Sequence, residues 1–423
     1  MNTRTQAVKW STVVIVASLA ACGGGGSDSP ATAGATTPPS VTGSSTGVLS
    51  DALVQGVAYS TTSGVKGTTD AQGQYRFNPG DTVSFTLGTL SLGSVPAAAM
   101  VTPIELAAGS NDKLQNLLVL LQSLDADGVA GNGITIPTAA ATATTSAINL
   151  SGAPAAFASS ANAGLVAAQS AGGISRPPTS SSAATAHFVS QFEAQLSSQV
   201  WLGSYDNGAG VIFQRFGAGG EYLNAQIGPA EQGGSSGVEY GTVRLTSVDA
   251  RGFAPTVTVA LDTNGSWGLS KLSACQRVRV EGGELAISDA PASCVTESTF
   301  RMSKAPNDAT GIVGVWAVDT ASVLKTQHFV FWADGRFIMV DPLGDEVNQC
   351  GGPGVERGTY EYNATTRAFR VLTVTVDTNG CAGLRDTAFN NRLASFQLTF
   401  SANGNTANAA AGNESFDIYR ISR

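Results

Sequence analysis

Hydrophobic residues alternate with polar ones at Val57 and Tyr59, at Tyr75 and Phe77, and at Val83, Phe85 and Leu87. Successive strand side chains face opposite sides, so this period of two predicts half-buried strands. Asp70-Ala-Gln-Gly73 and Asn78-Pro-Gly-Asp81 supply turn residues between the runs. A β module over residues 47–104 follows. The period then changes. Leu114, Leu117, Leu118 and Leu121 share one helical face and predict a helix from about Asn111 to Leu124. Ala-rich stretches follow, interrupted by Pro137, Pro154 and the pair Pro177-Pro178. Phe188, Phe192 and Leu196, at i, i+4 and i+8, predict a second helix from about Ser182 to Gln199. Residues 105–200 thus read as a helical connector.

Residues 201–423 repeat themselves. Trp201 and Trp316 stand 115 apart, as do Phe216 and Phe331, which open FGAGGEY and FWADGRF. GVEYGT (Gly237–Thr242) matches GVERGT (Gly354–Thr359), and TVTVALDTNGSWGL matches LTVTVDTNGCAGL, ending at Leu269 and Leu384. Landmarks in one order and near one spacing mark a duplication. Each copy is rich in alternating aromatics, and Asp334-Gly335 is a hairpin signal. A unit of about 115 residues suits a small antiparallel barrel or sandwich. The expected fold is therefore mainly β and multidomain: a small β-sandwich, an Ala-rich helical connector, then two repeated antiparallel β-barrel-like units over 201–305 and 306–423. Two barrels side by side and one composite sheet both satisfy the pattern.

The amino terminus carries an address. Arg4 and Lys9 precede the apolar run Val13-Val14-Ile15-Val16-Ala17, and Leu19-Ala20-Ala21-Cys22 follows. The run is too short to span a bilayer. It resembles the lipobox of bacterial lipoprotein signal peptides. That resemblance implies cleavage after residue 21, acylation of Cys22 and a membrane as partner. Gly23 after the cysteine implies the outer membrane by the enteric sorting rule. Residues 23–46, GGGGSDSPATAGATTPPSVTGSST, read as a flexible tether.

Composition narrows the partners. Formal charge is −8, and −10 without residues 1–21 (21 basic against 31 acidic residues). A surface of that sign repels phosphate backbones, so nucleic acid is not expected. Charged residues make up only 13% and Gly numbers 50, which suits strands, turns and linkers. Cys275, Cys294, Cys350 and Cys381 remain after Cys22. In an exported chain an even set reads as disulfides. Of three pairings, Cys275–Cys294 and Cys350–Cys381 staple one repeat each, closing loops of 19 and 31 residues. In the chain-entropy model each contributes about 3 kcal/mol.

The string DALVQGVAYSTTSGVKGTTDAQGQYRF resembles the carboxypeptidase-regulatory-like, transthyretin-like sandwich through Gly56, Gly67, Thr69, Asp70, Gly73, Tyr75 and Phe77. Modules of that kind serve as spacers or accessories. The repeats, with Gly-x-Trp at Gly314–Trp316, resemble lipocalin-like or avidin-like meanders. That implies a barrel mouth lined by Trp316, Phe331 and Phe337 as a candidate pocket for a small apolar ligand.

Catalytic chemistry is sparse. His187 and His328 are the two histidines, neither beside a Ser in a triad pattern. G-x-S-x-G occurs at Gly43–Gly47 and Gly233–Gly237, in tether and turn rather than between strand and helix. Glu239 and Glu356 hold equivalent repeat positions, where strand-start roles compete with a glycosidase-like carboxylate pair. Asp125 and Asp127 open a D-x-D-G string, but Val129 stands where a third calcium ligand is needed. No catalytic or metal site and no cofactor beyond the lipid is expected. The leading expectation is a non-catalytic envelope lipoprotein that contacts a surface or periplasmic ligand. A binder of a small apolar molecule and a hydrolase of surface polymer are the alternatives.

Overall fold

The computed structural model describes residues 42–421 except 231–232, 290–297, 309, 345–350 and 389. Cys22, the signal segment, most of the tether, Cys294 and Cys350 lie outside the described residues. Among the described residues no helix is long and apolar enough to cross a membrane.

The first module is built from two sheets. One orders Lys66–Thr68, Ala58–Thr61, Thr82–Leu87 and Leu90–Pro96; the other orders Gln74–Phe77, Ser45–Leu49 and Met100–Val101. Alternation along Thr82–Leu87 sends Val83, Phe85 and Leu87 inward, as the sequence pattern predicts. Tyr75 from the smaller sheet meets Tyr59 and Phe85 of the larger edge-on at 5.9 and 5.2 Å. The Tyr75 hydroxyl donates to the Ala98 carbonyl at 2.6 Å, so its polar end is satisfied inside the core.

Six helices follow. Asn111–Ser123 begins at Ser110, whose hydroxyl accepts from the Lys113 amide. Its predicted face is buried, and so are Val119 and Leu120 off that face. Beyond its exposed first turn, neighbours surround this helix. Ser181–Ser197 presents Phe188, Phe192 and Leu196 along one buried stripe. Phe192 stacks on Phe253 at 4.0 Å and Phe188 approaches the same ring at 5.1 Å. The helical segment is therefore more than a tether between modules. Its leucines share one continuous core with the sandwich and with the interior of the first barrel.

The duplicated region forms two closed antiparallel barrels of eight strands each, not one composite sheet. The first barrel runs from Val200–Tyr205 to Ser298–Lys304, and the second from Gly314–Ala317 to Glu414–Arg420. Their registers coincide. In the first, Gln214 pairs with Asn224, Asn224 with Glu239 and Glu239 with Asp262. In the second, Phe329 pairs with Met339, Met339 with Glu356 and Glu356 with Asp377. The barrels meet through outward residues of their early strands, among them Phe213, Leu223 and Ala225 against Val330, Ile338 and Val340. Gly210–Phe216 and Glu221–Ile227 are consequently buried on both faces.

Candidate functional site: a cavity inside the first barrel

Near the Tyr205 end of its first strand, the first barrel holds a partly open cavity of about 310 Å³. Gln214, Asn224 and Gln226 give polar wall; Ile212, Leu269 and Met302 give apolar wall. Tyr205, Trp267 and Phe300 add aromatic rings, and Tyr205 meets Trp267 edge-on at 5.3 Å. Each ring lies where a neighbouring glycine leaves room. A methyl on Gly210, Gly234 or Gly203 would overlap Tyr205, Trp267 or Phe300 respectively. Glycine inside a barrel strand marks such close approach.

The second barrel fills the same space. By strand register, Gln214 and Asn224 correspond to Phe329 and Met339, both buried in the apolar interior. Continuing that register, Ile212 and Gln226 correspond to Gln327 and Asp341. There the Gln327 amide donates to Asp341 at 3.1 Å and to the Ala382 carbonyl at 3.2 Å. Trp267 corresponds to Ala382 at the offset of 115.

Trp316, Phe331 and Phe337, expected to line a mouth, are packed instead. They are 0%, 3% and 0% exposed. Phe331 touches Phe329, Tyr360 and Phe369 at ring separations of 6.1, 5.0 and 5.5 Å. The Trp316 indole donates to the Ile312 carbonyl at 2.8 Å, and the Arg420 guanidinium covers its face at 4.3 Å. Eight strands leave an interior that this many rings fill.

Glu239 and Glu356 are fully buried, each inside its own barrel rather than in a shared cleft. Glu356 accepts from the Leu384 and Arg385 amides at 2.8 and 3.0 Å. Glu239 accepts from the Ser270 amide at 3.1 Å, the Ser270 hydroxyl and the Tyr222 hydroxyl at 3.0 Å. Both carboxylates thus clasp the loop that closes the barrel after its fifth strand. Burial pushes the Glu356 carboxyl up to about 7.

His328 sits between the barrels, against the Phe213 ring and the Arg215 guanidinium. Burial, then that cation, hold its imidazole well below the usual value, so it is neutral there. His187 is half-buried on its helix, and burial lowers it too. Gly233–Gly237 is a loop held through the Ser235 amide to the Asn264 carbonyl at 3.1 Å, with no strand-to-helix elbow. Asp127 accepts from the Val129 amide and the Asn132 side chain, and Asp125 from the Thr135 amide. No cluster of three metal-ligating side chains occurs among the described residues.

Sequence reasoning missed the cavity residues. The signal was present in the duplication: at one register the first copy carries Gln214 and Asn224 where the second carries Phe329 and Met339.

No protein-family model and no curated protein matches the chain. Among solved structures, the H. pylori β clamp in complex with 5-chloroisatin is similar at 8% identity and a TM-score of 0.09, over 53% of this chain and 55% of that chain. A likeness that slight carries no argument about fold or function.

Proposed function

We propose that the chain is a lipid-anchored envelope protein with a non-catalytic role, whose first barrel holds a small, mainly apolar molecule. The observation that carries this reading is the cavity of about 310 Å³ in the first barrel, at a level where the second barrel is filled. That volume falls in the range of small-molecule sites, and its wall is largely apolar with a few polar groups. The lipobox resemblance at Leu19–Cys22 supports acylation of Cys22 and attachment to the outer membrane. The paired sheets of the first module agree with a carboxypeptidase-regulatory-like spacer, and the eight-stranded barrels with a lipocalin-like form.

Disulfides Cys275–Cys294 and Cys350–Cys381 belong to the same proposal. Neither Cys275 nor Cys381 is a free thiol. The first barrel supports the second pairing. Counting back 117 from Cys350 across the GVEYGT and GVERGT strands reaches Gly233, and 115 from Cys381 reaches Ser266. A Cβ on Gly233 would stand 3.6 Å from that of Ser266, the separation a disulfide needs.

The test is a titration of the mature chain with the fluorophore N-phenyl-1-naphthylamine. Saturable enhancement is expected. It should vanish when Gln214→Phe and Asn224→Met import the second barrel's filling, with the far-UV spectrum unchanged. No saturable signal, or one that survives the double substitution, overturns the reading. A contact role without a small ligand is the second reading. It is favoured by Leu372, Phe416 and Tyr419 of the second barrel, which are 44%, 46% and 38% exposed. The hydrolase alternative is not favoured, because Glu239 and Glu356 are committed to separate loops.

A further inference from the structure

Two related halves make up the joint between the barrels, one supplied with a carboxylate and the other with arginines. In the first barrel Glu221 pairs with Thr242 and Leu223 with Tyr240; in the second, Arg336 pairs with Thr359 and Ile338 with Arg357. Arg336 and Arg357 therefore stand where the first barrel has Glu221 and Tyr240. In one half, Glu221 reaches across the joint. Its carboxylate accepts from the Ser322 hydroxyl at 3.1 Å and from the Val323 amide at 3.3 Å. In the other half, Arg357 reaches back to the loop that corresponds to Ser322–Leu324 at the offset of 115. Its guanidinium donates there to the Ala209 carbonyl, and to the Gly208 carbonyl at 3.5 Å.

Arg336 and Arg357 lie diagonally on neighbouring strands and share one open cleft of about 510 Å³. Thr359 and Thr375 of the second barrel and Ala209, Gly228 and Pro229 of the first complete its wall, and among the described residues no acidic side chain lines it. Asp334 takes the Arg336 Nε at 2.7 Å and leaves the two terminal nitrogens without an acceptor among the described residues. Arg357 is half-buried, its partners are neutral carbonyls, and it forms no ion pair among the described residues. Burial, then the neighbouring Arg336 charge, lower the Arg357 pKa. A cation partly out of water without a counter-charge is costly, and a second cation beside it adds repulsion. An anion seated between the two offsets both.

We propose that this cleft binds a phosphate group from outside the chain, held by Arg336 and Arg357 with the Thr359 hydroxyl beside them. Guanidinium forks match phosphate oxygens, and two cations match the double charge that a phosphate monoester carries near pH 7, which a carboxylate lacks. Thr359 lies 2.7 Å from the Thr373 hydroxyl, which can donate to it and leave the Thr359 proton for the ligand. The Thr375 hydroxyl is already given to the Arg357 carbonyl at 3.2 Å. The formal charge of −8 repels anions from the chain as a whole, so the attraction is local to this cleft. The site is separate from the first-barrel cavity and does not depend on it.

The experiment titrates the mature, unlipidated chain at pH 7 with sodium phosphate and with sodium acetate, ionic strength held constant with chloride, and reads the thermal midpoint. Phosphate should raise the midpoint saturably and beyond acetate. Arg336→Gln and Arg357→Gln should each raise the half-saturating phosphate concentration by about tenfold. Arg336 is exposed, so its variant should keep the wild-type midpoint in chloride alone. Flotation with phosphatidylcholine vesicles, with and without phosphatidic acid, separates the sources of the phosphate. Capture by phosphatidic acid that Arg336→Gln abolishes assigns a lipid headgroup; phosphate binding without capture assigns a soluble phosphate ester. A midpoint no higher in phosphate than in acetate, or a phosphate response that survives either substitution, overturns the proposal.

Discussion

The fold disfavours a charge on Asp51. It is 1% exposed and its carboxyl meets the Gln122 amide at 3.0 Å rather than a cation. Burial pushes it up to about 7 from 3.8, the Gln122 bond pulling the other way. Between those values the folded chain holds a proton that the unfolded chain has released. Stability therefore falls as pH rises through that window, by roughly 3–4 kcal/mol as an upper bound. Urea midpoints should drop from pH 4.5 to 7.5, and Asp51→Asn should remove that part of the slope. An equal drop in both proteins would place the titration elsewhere. A second residue-scale prediction concerns the carboxylate clasp. A methyl on Gly383 would overlap Glu356 Oε1, although the position does not require a left-handed backbone. Gly383→Ala should cost about 1–3 kcal/mol as a buried carboxyl loses its amides. An unchanged midpoint would show that the loop yields freely.

Helix Ser181–Ser197 joins the sandwich to the first barrel by its aromatic stripe. Phe192→Ala removes the ring stacked on Phe253 and should cost about 3–5 kcal/mol, whereas Glu193→Ala on the exposed side should stay within about 0.5 kcal/mol. Equal, small shifts from both would mean the helix lies loosely on the barrel. This helix was legible in the sequence because one face of it is buried, so its period survives. The duplication was legible for a similar reason, since Glu239 and Glu356 clasp equivalent loops from equivalent strand positions. The choice of pocket was not. Aromatic density singled out Trp316, Phe331 and Phe337, but density in an eight-stranded barrel means that the interior is filled. Nor does alternation separate inside from outside where both faces of a strand are buried. Phe213 faces the second barrel while its neighbour Gln214 lines the cavity, and the sequence reads as an apolar residue next to a polar one in either case.

At the scale of the molecule, the joint between the barrels decides whether they fold as two units or one. Its apolar part joins Phe213, Leu223 and Ala225 to Ile338 and Val340, all nearly inaccessible. Its polar part holds Arg215 beside a neutral His328, and carries the Arg357 guanidinium to the Ala209 carbonyl. Separating the barrels would expose the outer faces of strands whose inner faces already form the two interiors, and would part Arg215 from His328. Each barrel therefore lends the other part of its stability, and the pair should open together. Hydrogen exchange in rising denaturant, read on peptides from residues 237–262 and 354–377, should give one common midpoint. Ile338→Ala, made in the second barrel at the joint, should lower both midpoints equally, by about 2–4 kcal/mol. A shift confined to 354–377 would mean that the joint is a contact between independent folds. Coupled opening has a consequence for binding. A ligand seated in the first barrel would then protect the second as well, by the same free energy, although it touches none of its residues.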